Sequence, residues 1–334
     1  MKKKSSFNIS AWLPVFMFLA VLIILGGATL AKNGFRGSIF SPANLQNLFN
    51  QSVATIIAGL GMMWVAAMGS TDITAGVVVA LGGTFGLMAV AGGAPSILFV
   101  LVAVAIGMAS GLLLGYVNAK LHVNSFMASL ALMMAYRAVV QWVMSDKSFY
   151  LPENMKFVDS LGFKIVILIV LIVIIQYLFK YTRFGNYVRG IGENELAIRF
   201  TGVNVNMVKI AVFILSGLMF AIAGIFTIAR QGGTSNTIGI GFEMKVMMAL
   251  YIGGIPVQGG EGTKVYKLIF GSLTITLLEI ALVLLNAQSA VVQLTKGIIL
   301  LGAVYLTNLL ARRLAYVGTS GAENQKLVEE AGER

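Results

Sequence analysis

Long apolar runs alternate with short polar breaks along almost the whole chain. Ten of these runs approach or exceed the roughly 18 apolar residues that suggest a membrane-spanning helix. They predict crossings at about 11–31, 51–68, 74–92, 96–118, 125–144, 163–180, 208–229, 240–257, 267–286 and 290–310. The eighth run differs from the rest. Glu243 and Lys245 sit near its start and Gly253-Gly254 interrupts it, so it either crosses or re-enters and leaves on the same side. The predicted fold class is an all-α polytopic membrane protein of about ten helices, with residues 1–317 forming one transmembrane domain. Residues 318–334 are a polar tail with Glu323, Glu329, Glu330 and Glu333. Met1-Lys2-Lys3-Lys4 followed by an apolar run resembles a signal peptide. The run from Ala11 to Ala31 is too long for a signal core, so it is read as the first span.

Composition sharpens this reading. The chain is 58% hydrophobic and 11% charged, against about 25% charged in soluble domains. It has no cysteine and a single histidine, His122 in a short turn, so disulfides, thiolate metal sites and two-His sites are excluded. A net charge of +11 would suggest a nucleic-acid partner in a soluble chain. Here the distribution of cations explains it. An even number of crossings puts both termini on one side. With that side in the cytosol, fifteen Lys and Arg fall on cytosolic segments and span ends and six on outer ones, while Arg137, Lys245 and Lys296 lie within spans. The outer loops are then 32–50 and 145–162. The second carries aromatic and charged residues suited to an interfacial loop or to contact with an outside partner.

Small residues crowd the spans. Gly76, Gly82, Gly83, Gly86 and Gly92 lie in the third, and Gly107-x-x-x-Gly111-x-x-x-Gly115 in the fourth. Such spacing lets backbones approach closely, and packing within the chain is favoured over a dedicated dimer seam.

The longest polar interruption is Thr182–Asn206. Within it Glu193–Phe200 predicts a short amphipathic helix. Leu196, Ala197 and Phe200 share one face, Glu195 and Arg199 pair at i,i+4, Asn194 caps the start and Gly202 stops the end. A short exposed helix between spans is either a solvated loop element or one that docks into a groove on a soluble partner.

Thr182-Arg-Phe-Gly185, Gly192-Glu-Asn-Glu-Leu-Ala-Ile198 and Gly202-Val-Asn-Val205 resemble the cytosolic coupling segment of bacterial sugar-type ABC importer permeases, the ribose/xylose/arabinose/galactose group. Ile198 departs from that pattern, which has a small residue there. Three further stretches carry the same resemblance. Gly69-Ser-Thr-Asp-Ile-Thr-Ala-Gly76 is similar to the family's G-x-[DI]-D-L-S-x-G. Val123-Asn-Ser-Phe-Met-Ala-Ser-Leu130 with Arg137 is similar to V-x-P-F-I-x-T-L…R-G, with Ser125 for Pro. Gly241–Gly262 keeps the family's acid at Glu243 and its double glycines, but Lys245 replaces the usual Asp. The resemblance implies a permease that translocates a monosaccharide or similar small polar solute across the bacterial inner membrane. It also implies cytosolic ATP-binding cassette subunits docking on Glu193, Asn194, Glu195, Ala197, Arg199 and Gly202. An external solute-binding protein and a second permease copy, identical or related, complete the expected assembly.

The candidate pathway or structural polar residues are Asp72, Arg137, Glu243, Lys245, Glu279 and Lys296. Asp72, flanked by Thr71 and Thr74 at a predicted helix start, either caps that start or meets substrate. An arginine in a span costs about 2.5–3.5 kcal/mol on insertion scales, so Arg137 either finds local partners or water, or lines a pathway. Glu279 stands nine residues before the turn near Gln288 and Lys296 eight after it. At about 1.5 Å per residue both lie roughly 12–14 Å from the turn, so the hairpin predicts an ion pair deep in the membrane. A competing class is an ion- or proton-coupled secondary transporter relaying through Glu279, Lys296 and Arg137. An enzyme is not expected, and neither is a metal or other cofactor. No nucleophile–His pair or metal cluster is visible, and Gly260–Lys264 lacks phosphate-loop spacing.

Overall fold

The computed structural model describes residues 9–145, 147–256, 259–260, 262–302 and 305. The lysines at 2–4, the tail at 318–334 and the last predicted span beyond 305 lie outside the described residues. The described chain is helical throughout, with one isolated β-bridge between Tyr150 and Gly233. Its helices are α1 (Ile9–Gly37), α2 (Pro42–Ala67), α3 (Ala75–Ala91), α4 (Ile97–Lys120), α5 (Ser125–Met144), α6 (Leu161–Tyr181), α7 (Arg183–Phe200), α8 (Val205–Gln231), α9 (Phe242–Ile252), α10 (Val265–Leu284) and α11 (Ser289–Gly302), with a 3-10 helix at Glu153–Asp159.

Seven of these are long and apolar enough to cross a membrane: α1, α2, α4, α5, α6, α8 and α10. α3 and α11 are shorter apolar helices among the described residues. The predicted crossing at 240–257 is corrected in form, because no single full-length helix makes it. Its helix, α9, has 11 residues and a length of about 16 Å, half of a hydrocarbon core about 30 Å thick. Gly241 precedes it with φ +75° and Gly254 follows with φ +73°. Left-handed residues at both ends stop a helix that composition alone would continue. The outer loop predicted at 32–50 is a second correction. It is helical except at 38–41, because α1 continues through a kink at Gly34 and α2 begins at Pro42, capped by Ser41.

α3 and α9 each follow a full span that folds back on itself. α2 ends at Ala67 and the chain reverses at Gly69 (φ +73°), with Ser70 N–H donating to Val65 O and Gly69 N–H to Ala66 O. Residues 70–74 then return into the bundle, and Asp72 reaches Ser216, the twelfth residue of the 27-residue α8. α3 therefore starts near mid-depth and runs to the end of the bundle opposite α7. α8 runs in the same direction as α3, ends in left-handed Gly232, and residues 233–241 return to the same depth. From there α9 runs back toward the α7 end.

Two broken crossings of opposite direction, each extended to mid-depth and helical beyond it, thus meet where their helices begin. A Cβ on Gly76 would lie 2.1 Å from Gly239 O, and one on Gly239 would lie 2.0 Å from Gly76 O. Only glycine permits that approach. The chain places these glycines seven residues after Gly69 and Gly232 respectively, with Thr74 and Thr237 at matching positions. Opposed units of this kind form an inverted-repeat architecture.

The stripe Gly107-Gly111-Gly115 packs within the chain, as the spacing predicts. Its partners are Gly217, Phe213 and Ile210 on antiparallel α8, and a Cβ on Gly107 would sit 2.4 Å from Gly217 O.

Candidate functional site

Three regions hold the polar residues predicted from sequence. The first is the start of α3. Asp72 is 1% exposed. It accepts hydrogen bonds from Thr74 N–H (2.9 Å), Thr74 Oγ1 (2.7 Å) and Ser216 Oγ (3.2 Å), while Thr71 N–H donates to Ser125 Oγ (3.0 Å). Each carboxylate oxygen has at least one donor within the bundle, although none of them is an amide inside α3, whose N-cap is Thr74. Arg137, on α5, is half-buried and finds a local partner. Its Nη1 donates to Ile238 O at 2.9 Å and thereby grips the second broken crossing. Glu243 stands in the first turn of α9. Its Oε2 is buried without a hydrogen-bond partner among the described residues and lies against Gly76.

The second region is a cluster of three charges. Lys296 Nζ lies 2.5 Å from Glu279 Oε1, so the α10–α11 hairpin carries the ion pair at matching depth. Lys245 Nζ of α9 lies 2.6 Å from Glu279 Oε2, a contact that the hairpin argument did not foresee. One carboxylate thus joins the half-helix to both arms of the hairpin. A cavity of about 400 Å³ between α8, α9 and α11 is lined by Gln231, Lys245, Glu279, Gln293 and Lys296. A second of about 320 Å³ shares Glu279 and Lys296 and adds Asn44, Asn47 and Gln51 of α2. A third of about 140 Å³ adds Asn50, Thr55, Arg230 and again Lys245. Arg230 donates to Asn47 Oδ1 at 3.1 Å.

The amides of α2 and Arg230 were not singled out from sequence. Their signal was available. Asn44, Asn47, Gln51 and Thr55 recur at three- and four-residue intervals on one face of α2. At the mouth beyond them Lys164 is 1% exposed, bound to Asp159 (2.6 Å) and Asn50 (3.0 Å).

The third region is α7. It is longer than the predicted Glu193–Phe200 helix because Thr182 caps a preceding stretch, accepting Gly185 N–H at 3.2 Å. Asn194 (φ −157°, ψ 97°) breaks the helix, and its Oδ1 accepts Ala197 N–H at 3.0 Å, so it caps the second half as predicted. Gly202 (φ +81°) follows the end of that helix.

In the second half Glu195 binds both Arg199 (2.7 Å) and Lys209 (2.8 Å). Burial alone would push the Glu195 carboxyl up, but its hydrogen bonds and charge contacts with Lys209 and Arg199 hold it below the usual range. Leu196 and Phe200 are 66% and 89% exposed. Ile198, the departure from the family pattern, turns inward instead. Its side chain packs on the glycine gap at Gly190.

The root of α7 is anchored. Phe184 stacks on buried Trp64 of α2 with centroids 5.2 Å apart, and Phe179 meets the same ring edge-on at 5.0 Å. A Cβ on Gly192 would sit 2.0 Å from Ala67 O, the oxygen that also accepts Gly260 N–H at 2.9 Å. Glu193 lies against Gly260. The arm therefore touches the end of α2, just before the turn at Gly69, and the segment that follows α9.

Comparisons with known proteins identify related membrane permeases. Residues 44–304 match the family model described as "Branched-chain amino acid transport system / permease component". The ribose import permease protein RbsC of Escherichia coli (strain K12) is 32% identical over 314 residues, covering 89% of this chain and 95% of that protein. The L-arabinose transport system permease protein AraH of the same strain is 30% identical over 322 residues, covering 90% and 92%. The fructose import permease protein FruG of Bifidobacterium longum is 26% identical over 286 residues, covering 80% and 81%. No solved structure matches the chain. With seven apolar spans, opposed broken crossings and a family match over most of its length, the chain belongs to the branched-chain amino acid transport system permease family.

Proposed function

We propose that this chain is the membrane-spanning permease subunit of an ABC importer that translocates a monosaccharide or similar small polar solute. Separate ATP-binding cassette subunits power it. A solute-binding protein delivers the solute from outside, and a second permease copy, identical or related, completes the pathway. The chain itself is a transport subunit and not an enzyme. In this reading it sits in the bacterial inner membrane with both termini and α7 in the cytosol.

One observation carries the reading. α7 presents exposed Leu196 and Phe200 beside a fixed Glu195–Arg199–Lys209 cluster, while its root touches both broken crossings. An apolar anchor ringed by held charges suits a groove on a soluble subunit. Movement of the arm would be felt at Ala67 and Gly260 together, and so at the first turn of one unit and beyond the end of the other. That linkage supports rocking of the two units between inward and outward access, with the solute passing the cavities around Glu279. The names of the relatives favour sugar import over the ion-coupled alternative.

The test exploits the absence of cysteine. Phe200→Cys introduces one thiol, and disulfide trapping against single cysteines in the groove of the ATPase subunit is expected to give one specific cross-link. Modification of that thiol by an impermeant reagent from the outside of intact cells would overturn the reading.

A further inference from the structure

A fourth cavity lies away from the pathway, where α6 ends and α10 begins. It measures about 370 Å³ and is lined by Lys180 of α6, Arg189 of α7 and Lys264 just before α10, with Gln176, Phe179 and Thr263 among the rest. No carboxylate lines it among the described residues.

Two buried polar atoms at this cavity lack a hydrogen-bond partner among the described residues. They are Arg189 Nε and Thr263 Oγ1, and Thr263 is 2% exposed. The Arg189 guanidinium is held in place, because its Nη2 donates to Asn186 Oδ1 and its Cζ lies 5.5 Å from the Phe179 ring centroid. A fixed guanidinium, a buried hydroxyl and two lysines make a donor set for a phosphate group. Leaving a buried donor unpaired is unfavourable, so an occupant that accepts from it is favoured.

The position matters as much as the chemistry. Tyr181 and Val265 end and begin apolar spans, so the cavity lies at the level of the membrane boundary. α6 is largely unburied along its length, so the cavity adjoins a face open to lipid. Basic pockets between spans at that level bind anionic lipid headgroups.

We propose that Lys180, Arg189, Lys264 and Thr263 form a phosphate-binding site that takes the headgroup of an anionic phospholipid. Occupancy would tie the root of α7 to α6 and α10.

The test uses the purified full chain in an uncharged detergent. Phosphatidylglycerol, phosphatidylcholine and inorganic phosphate are titrated separately while thermal unfolding is followed. Phosphatidylglycerol is expected to raise Tm by about 3 °C or more over phosphatidylcholine. The shift should vanish in the K180Q/R189Q/K264Q triple variant and survive in K180R/R189K/K264R. An equal rise with inorganic phosphate would keep the site and assign it to a soluble phosphate compound. No rise with either, or a full rise in the glutamine variant, would overturn it. If the glutamine variant does not fold, native mass spectrometry of the wild type decides. A retained phosphatidylglycerol after detergent exchange supports the site, and loss of all lipid or retention in bulk membrane proportion refutes it.

Discussion

In the first broken crossing the chain turns at Gly69, passes Asp72 and enters α3, whose first thirteen residues are buried except for Phe85. In the second it turns at Gly232, passes Gly239 and enters α9, where Lys245 opens onto two cavities. Both bring a half-helix to the same mid-depth contact, but the first closes its polar groups on themselves. Asp72 spends its oxygens on Thr74 and Ser216. The second leaves its charges beside open cavities, with Lys245 and Lys296 sharing Glu279 at a cavity wall. One backbone device thus serves as a closed hub in one half and as a cavity wall in the other. Changes in the first unit should act on stability, and changes in the second on transport.

The sharpest way to break that contrast is at the shared contact. Gly76→Val places a branched side chain against Gly239 O and Glu243 and is expected to cost about 3 kcal/mol, the upper end for overpacking. A fall in the folded, monodisperse fraction in detergent would register it, and a wild-type melting profile would remove the hub from the account. Asp72→Ala comes next. It leaves Thr74 N–H and two hydroxyls without their acceptor and is expected to cost about 2 kcal/mol, with transport per folded molecule retained. Uptake normalised to folded protein checks this, and selective loss of uptake with unchanged stability would move Asp72 into the pathway.

Glu279→Gln should behave in the opposite manner. Two lysines lose their shared anion, but the adjoining cavities allow water to hydrate them, so the stability loss is expected near 1 kcal/mol. Uptake should fall by more than tenfold. Equal loss of both would make the cluster a structural clamp.

The smallest effect belongs to the arm. Glu195 has its carboxyl held low, so its contribution is present above the ordinary value of 4.5 and is lost as pH falls through the lower folded value. Because its side chain is 35% exposed, Glu195→Gln should cost less than about 1 kcal/mol at neutral pH. The variant should lose the acid-side dependence of arm protection that hydrogen exchange reports in the wild type.

Much of this was legible before any coordinates. The hairpin register placed Glu279 opposite Lys296 because helical rise is fixed, and the cap at Asn194 follows from an amide before Glu195-Leu-Ala197. The glycine stripe of α4 marked a close packing face. The half-length of α9 was harder to see. Residues 240–257 are apolar enough to read as a span, and only the left-handed glycines at 241 and 254 end the helix early. Lys245 joined the cluster because α9 reverses beside α10, a tertiary fact that no local pattern encodes. The amides of α2 read as loop because they are polar, yet a cavity rather than solvent accounts for them.

Uptake of labelled solute into proteoliposomes tests the central claim most directly. The vesicles carry this chain with its ATPase subunits, and the solute-binding protein is added on the side opposite α7. The account predicts uptake that needs ATP and the binding protein and is indifferent to proton or sodium gradients. Gradient-driven uptake by this chain alone, without ATP, would contradict it.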